Sequence, residues 1–310
     1  MSTTPDDTPE LSVSVICFTT PAHLRRCLEA LLVSSEGHVV EVIVPHDATL
    51  SSAAALTSQF PGVWFLDAGA RATPAELRAR AACASRAPLM AFLEDHCMPA
   101  ADWVDRVLAA HRADLAGVGG SVEKGFPPGR STDSTLNWAV YLTDYSRYML
   151  PMAAGPAFGL SDCNVSYRRT ALESVRSAWS TEFHENVVHD ALRREQATLW
   201  FDPTIVVYEQ RDLTLGAALR DRFSFGRLFG SSRVSGASLS RRLVMTLAAL
   251  LMPPVLVWRV AKNLFERRRY RGQLVRCLPH LVLVATTWML GESIGYLSGR
   301  AGKSLSHRTA

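Results

Sequence analysis

Residues Leu89–Pro99, LMAFLEDHCMP, decide how the chain is read. The apolar run Leu89–Leu93 has the length of a buried strand, and it stops abruptly at Glu94, Asp95 and His96. Adjacent acids at a strand end repel unless solvent, a cation or hydrogen bonds offset their charge. On an extended backbone Glu94 and His96 share one side and Asp95 points to the other. Carboxylate with imidazole suits Mn²⁺, and carboxylate with water suits Mg²⁺. On one reading His96, with Glu94 directly or through water, organises a metal-bound phosphate while Asp95 faces a sugar or ribose. On the other, the segment is a solvated loop whose acids cap the helix after Pro99.

Toward the N-terminus, strands and helices alternate. Leu11–Cys17 is a β-branched run, and Pro21 opens a helix with Leu24, Leu28, Leu31 and Leu32 at helical spacing. Val39–Val44 reads as a strand, Ser51–Gln59 as a short helix, Val63–Leu66 as a strand and Pro74–Arg86 as a helix. This order predicts an α/β fold with a mostly parallel sheet covered on both faces. Ligands of such sheets bind outside the carboxyl ends of the strands, where His46-Asp47 and Glu94-Asp95-His96 fall. Asp47 suits a hydrogen bond from a ribose or nucleobase, or else caps the helix near Ser51. Arg78 and Arg80 either meet a pyrophosphate or are simply exposed on their helix.

Toward the C-terminus, Ala101–His111 reads as a helix, Gly117–Val122 as a glycine-rich strand and Gly125–Ser134 as a loop. Leu136–Leu150 is an aromatic helix or lid with Trp138, Tyr141, Tyr145 and Tyr148, either a core stripe or a surface for stacking on a sugar or lipid. Cys163–Tyr167 reads as a strand, Thr170–Trp179 as a helix, and Leu199–Phe201 and Thr204–Val207 as two late strands. Between them, Thr181–Asp190 holds three carboxylates and two imidazoles. Group transfer to a hydroxyl needs a base. Glu185, at the helix start, would be kept ionised by the helix dipole; His189-Asp190 is a rival pair, and simple helix capping the plainer alternative. Gly117-Val118-Gly119-Gly120 matches neither the dinucleotide fingerprint nor a P-loop.

The 310 residues suffice for about two domains. With 48% hydrophobic and 20% charged residues the chain is neither disordered nor fibrous. A net charge of +4 does not suggest a nucleic-acid binder. Six cysteines without a Cys-x-x-Cys pair read as a reduced, intracellular set. The polar, acidic start MSTTPDDTPE lacks the features of a signal peptide, so the N-terminal part is expected in the cytoplasm. From Leu213 to Leu239 the pattern is amphipathic and basic, with Arg220, Arg222, Arg227 and Arg233, and fits a helix on a membrane surface or ordinary packing.

Leu243–Val260, interrupted by Pro253-Pro254, and Leu274–Leu297, which includes Arg276, His280 and Glu292, approach the roughly 20 apolar residues of a spanning helix. They are read as two transmembrane helices, a re-entrant or interfacial hairpin, or buried helices. Lys262, Arg267, Arg268, Arg269 and Arg271 between them would lie on the far side if both spanned, against the positive-inside tendency.

Taken in order, these patterns resemble glycosyltransferase family 2, whose catalytic domain has the GT-A fold. SVSVICFTTPAHLRRCLEALL is similar to the family's first strand, loop and helix. EVIVPHDAT stands where the family has a second strand and paired Asp residues, with His46 for the first and Asp47 for the second. LEDHCMP falls on the Asp-x-Asp motif, placing Glu94 and His96 at its ends. Asn164 matches a family asparagine of the acceptor and donor-sugar region, and Glu185-Asn186 falls on the Glu-Asp base motif. FDPTIVVYE ends in Glu209 where the family usually has a His, and LRDRFSFGR resembles the basic segment that follows. The likeness spans Leu11 to Gly230.

The resemblance implies a GT-A domain over residues 11–212, after a flexible tail (1–10) and before an amphipathic helix and two hydrophobic membrane helices or a hairpin (213–310). It implies a metal-dependent, inverting transferase that moves one sugar from a nucleotide-sugar donor to a hydroxyl or phosphate of a lipid-linked or glycan acceptor at the cell membrane. The implied donor site is Asp47, Arg78, Arg80, Glu94, Asp95 and Asn164. Mn²⁺ or Mg²⁺ would sit on His96 and Glu94, and Glu185, with Asp190 near it, would be the base. Trp138, Arg220, Arg222 and Arg227 would face acceptor or membrane. A non-catalytic membrane-anchored scaffold and a transferase with a soluble acceptor are the alternatives.

Overall fold

The computed structural model describes residues 8–48, 50, 52–69, 71–111, 113–126, 129–130, 132–234 and 236–300. Most of the expected N-terminal tail, the expected helix start at Ser51 and part of the Gly125–Ser134 loop lie outside the described residues. The chain forms two compact units, one of Met1–Gly125 with Tyr148–Gln210, the other of Phe126–Arg147 with Arg211–Thr309.

The first unit opens with β1 (Leu11–Ile16), buried along its length, and α1 (Pro21–Ser34). Thr20 caps α1 by accepting from the His23 amide, and Pro21 supplies the helical φ at its first position. Then come β2 (Val40–His46), α2 (Ala53–Gln59), β3 (Val63–Asp67) and α3 (Pro74–Ala84). Thr73 and Glu76 close a reciprocal capping box that fixes where α3 begins, and so where Arg78 sits. β4 (Leu89–Glu94) is followed after two residues by β5 (Cys97–Pro99), α4 (Trp103–Ala110) and β6 (Gly117–Lys124). In the second unit lies α5 (Thr135–Tyr145); the chain then returns for β7 (Gly155–Pro156), β8 (Asn164–Arg168), α6 (Arg169–Ser174), α7 (Glu185–Arg194) and β9 (Leu199–Glu209).

The sheet order is β3-β2-β1-β4-β8-β6-β9-β5, with β7 on β9. β1, β2, β3 and β4 are parallel, β8 runs antiparallel to both β4 and β6, and β6 is parallel to β9. The expected sheet-and-helix architecture is present.

Two local readings change. The late strands are one strand, because Pro203 sits where the β6–β9 register shifts between Gly120 and Ser121 and the ladder is already interrupted. Gly120 allows the approach there: a Cβ would lie 1.9 Å from the Ile205 carbonyl oxygen. Cys97–Pro99 is a strand paired with β9, so Glu94-Asp95-His96 is a buried turn and not a solvated loop.

The second unit contains α5 together with α8 (Leu215–Arg233), α9 (Leu239–Ala249), α10 (Met252–Glu266) and α11 (Arg271–Ser298). α8 packs along α11 through Gly226 and Gly230 on one helix and Gly291 and Gly295 on the other. A Cβ at Gly226 would meet the Trp288 carbonyl oxygen at 2.3 Å, and one at Gly291 would meet that of Phe223 at 2.1 Å. Small residues spaced by four let two backbones touch. α11 is long and apolar enough to cross a membrane. The pair α9 and α10, bent by 47° at the break before Pro253-Pro254, passes the same test when taken together.

Candidate active site

The carboxyl edge of the sheet gathers the charged turn around one arginine. α3 carries Arg78 into the interior, where its guanidinium donates to Glu94 Oε1 at 2.5 Å and to Asp162 Oδ2 at 3.1 Å. Arg78 and Glu94 are buried, and the guanidinium lies 5.4 Å from the centre of the Phe18 ring. Burial opposes the Arg78 charge, but Asp162, Glu94 and Glu185 outweigh it and hold the group protonated. The other Glu94 oxygen, Oε2, is 3.3 Å from His96 Nε2. Glu94 and His96 thus share a side, as strand alternation predicts.

Asp95 goes the other way, and to a different end than the expected sugar or ribose. It is fully buried, and its Oδ2 accepts from the amide and hydroxyl of Thr19, at 2.8 and 2.9 Å, in the β1–α1 loop. Burial works against its ionisation, yet hydrogen bonding and charge from His96, with the amides of Thr19 and Phe18, hold its carboxyl below the ordinary range. Asp95 Oδ1 lies 3.5 Å from His96 Nδ1, so Asp95 braces the imidazole from behind.

Glu185 is the first residue of α7 and is half-buried. Burial and the Asp162 charge push its carboxyl above the usual carboxylate value, and the opposing pull of Arg78 does not cancel them. The expected effect of the helix dipole is therefore outweighed. Asn186 donates to Glu185 Oε1 at 2.9 Å, an orienting contact from the residue that replaces the second acid.

The remaining expected site residues divide. Asp47, at the end of β2, is buried and accepts from the Ala72 amide at 3.0 Å, which ties it to the segment leading into α3. Arg80 donates to the Ala68 carbonyl at 3.0 Å. Asn164 is used structurally: its Oδ1 takes the Trp103 indole N–H at 2.9 Å, and its Nδ2 donates to the carbonyls of Ser121 and Ile205. Those contacts pin β8 to the β6–β9 irregularity and leave its amide facing the sheet, not a sugar. Asp190 pairs with Arg193 on the exposed side of α7, and His189 is buried against the Tyr167 hydroxyl at 2.8 Å.

In the second unit, Trp138 is buried among Phe126, Tyr141 and Tyr270 as part of a core stripe. Arg222 is held by Asp144 through two 2.7 Å hydrogen bonds, Arg227 donates to the Arg300 carbonyl, and Arg220 is exposed.

The sequence reading missed Asp162, Thr19 and the Lys124–Glu209 pair. Asp162 lies just before β8, whose antiparallel pairing with β4 sets Leu93 opposite Asn164 and so brings Asp162 to the charged turn. The only sequence signal was its place two residues before Asn164. Lys124 and Glu209 meet at 2.9 Å with no exposed side-chain surface, beside the turn, since the Gln210 amide donates to the His96 carbonyl at 2.7 Å.

The α/β sheet, with carboxylates, an imidazole and a buried arginine clustered at its carboxyl edge, has the sheet-and-helix arrangement of a GT-A-type domain. Residues 12–176 match the family model of Glycosyl transferase family 2, and the chain belongs to that family, whose members move a sugar from a nucleotide-sugar donor to an acceptor. Among solved structures the chain is similar to S. aureus TarS 1-349 in complex with UDP-GlcNAc. That likeness has 12% identity over 89% of this chain and 81% of that one, with a TM-score of 0.48. It is also similar to GalNAc-T7 with UDP, GalNAc and Mn²⁺, at 12% identity over 67% of this chain and 45% of that one, with a TM-score of 0.48. A search of the curated proteins gave no match.

Proposed function

We propose that this family member is an inverting glycosyltransferase that moves one sugar from a nucleotide-sugar donor to a hydroxyl or phosphate of a membrane-presented acceptor, lipid-linked or glycan. The observation that carries the reading is the cluster at the sheet's carboxyl edge, where buried Arg78 joins Glu94 and Asp162 and Glu94 faces His96, with Glu185 at the start of α7 held above the usual carboxylate value by burial and the Asp162 charge. A base is most effective when its pKa approaches the working pH, and burial with a like-charged neighbour moves a carboxylate in that direction. Glu185 takes the proton of the acceptor hydroxyl as its oxygen attacks the anomeric carbon. The bond from that carbon to the diphosphate oxygen breaks, and the diphosphate departs with the electron pair. Attack opposite the leaving group inverts the configuration.

Asp47 holds the nucleoside end of the donor, and Arg78 offers a cation to the diphosphate where negative charge grows. Glu94 and His96 fit a divalent ion. Their 3.3 Å separation is close to the roughly 3 Å between neighbouring ligands of an octahedral ion with bonds of about 2.1 Å. Among the described residues no group of three or more His, Cys, Asp and Glu side chains is placed to hold an ion. Bound there, Mn²⁺ or Mg²⁺ would supply Lewis-acid stabilisation of the leaving group. Asp95 sets the His96 ring from behind.

The test is a panel of nucleotide sugars and membrane extracts assayed with wild type and Glu185→Gln. Transfer by wild type and a loss of about 10²- to 10⁴-fold in the variant, with donor affinity kept, is the expected result. Donor binding without hydrolysis or transfer of any sugar would favour a non-catalytic scaffold.

A further inference from the structure

The apolar surface of the second unit gives the membrane reading a definite geometry. Val244, Leu247, Leu250 and Leu251 flank the α9–α10 break with more than half of their surface exposed, as has Trp258 on α10. On α11 an apolar stripe runs outward from Val275, which is 73% exposed, through Val282 and Leu290 to Leu297. Exposed apolar side chains gathered on α11 and the two helices packed against it mark a contact surface. Charge identifies the occupant. Residues 211–310 carry 17 Lys and Arg against four Asp and Glu, whereas residues 1–210 carry 16 against 25. Arg241 and Arg242 precede the apolar face, Arg267, Arg268, Arg269 and Arg271 follow it, and Lys262 lies 5.6 Å from the centre of the Trp258 ring. An apolar face rimmed by cations and carrying an exposed Trp matches the acyl–headgroup boundary of an anionic bilayer.

The same helices argue against a crossing. α9 and α10, with 11 and 15 residues, reach only roughly 16 and 22 Å, short of a hydrocarbon core of about 30 Å, and they bend at Pro253-Pro254. α11 is long enough, but its inward face packs on α5 and, for much of its length, on the charged helix α8. Near its start, His280 meets Thr135 of α5, and Val284 packs with Val140. Farther on, Gly291 and Gly295 touch the backbone of α8, which carries Arg220, Asp221, Arg222, Arg227 and Arg233. Sinking α11 across a bilayer would carry α8 with it, and each charge at the centre costs about 3 kcal/mol or more.

We infer that α9, α10 and the outward stripe of α11 seat in one leaflet of an anionic membrane without crossing it, so that the arginine-rich α10–α11 connector stays on the same side as the sheet-containing unit. The inference rests on the membrane-presented acceptor proposed above and specifies how the chain meets that membrane.

The experiment uses full-length protein in cell membranes, with Glu266→Cys at the exposed end of α10 and the native, exposed Cys83 as the marker of the first unit. A membrane-impermeant maleimide is applied to sealed right-side-out and inverted vesicles, and the labelled peptides are read by mass spectrometry. Both thiols are expected to label from the same face; labelling of residue 266 from the face opposite Cys83 overturns the one-leaflet seat while leaving membrane association intact. Purified protein is then mixed with phosphatidylglycerol or phosphatidylcholine vesicles. Binding should be at least about tenfold stronger to the anionic ones. Leu251→Glu, at an exposed position, should weaken that binding with the melting temperature unchanged. Failure to bind either vesicle, or concentration-dependent self-association that buries the face instead, overturns both the seat and the membrane-presented acceptor.

Discussion

Arg78 donates to Glu94 across 2.5 Å with both side chains buried, and the same guanidinium nitrogen reaches Asp162. One cation therefore neutralises two acids, one at the end of a strand and one in a loop 84 positions beyond the arginine in sequence. Removing it should be costly. Arg78→Met leaves Glu94 ionised and buried with its cation gone, and stability should fall by about 3–5 kcal/mol. Urea unfolding of wild type and variant measures this; Arg78→Lys, which keeps the charge on a more strongly hydrated ammonium, should fall between them.

Glu41 provides a pH test separate from the active site. Burial pushes its carboxyl up, but hydrogen bonds from Ser12 and Arg86 outweigh burial and hold it below the ordinary 4.5. A carboxylate with a depressed folded-state pKa contributes stability above its unfolded value and loses it as pH falls through the folded one. Glu41→Gln should therefore destabilise the protein at neutral pH, with the difference closing in acid below the ordinary value. Unfolding curves across that range give the comparison.

The α8–α11 contact makes a paired prediction. Gly291→Ala places a methyl 2.1 Å from the Phe223 carbonyl oxygen, so the two helices must part, at a cost of about 1–3 kcal/mol or more. Gly216→Ala, near the start of α8 with nothing within 4 Å of the added carbon, should be neutral or stabilising by about 0.5–1 kcal/mol. Melting temperatures of the two variants should move in opposite directions or differ by several degrees.

His96 and Glu94 make the metal prediction. His96→Ala should weaken Mn²⁺-dependent binding of the nucleoside diphosphate by about tenfold or more, by calorimetry with and without the ion. Binding that is equally metal-dependent in the variant would remove His96 as a ligand.

Much of the first unit was legible because its elements announce themselves locally. Short apolar runs formed β1 to β4, Pro21 and Pro74 marked helix starts, and alternation put Glu94 and His96 together. What escaped was non-local. Cys97–Pro99 is too short to show a period and is a strand only because β9 pairs with it. Pro203 looked like a strand break because the matching irregularity at Gly120 is 83 residues away. Asn164 looked like a ligand because the Trp103 indole and the two carbonyls that occupy it are distant in sequence. Asp162, with no motif of its own, joins Arg78 through antiparallel pairing that composition does not encode.

Glu185 as a base lifted by burial and by the Asp162 charge is tested most directly by the acid limb of kcat/KM for sugar transfer. Wild type should lose activity as pH falls through a value above the ordinary 4.5, because a protonated Glu185 cannot accept the acceptor's proton. Asp162→Asn removes the like charge, and the limb should shift to lower pH while donor binding persists. A limb at the same pH in wild type and Asp162→Asn, or one retained in Glu185→Gln, would contradict it.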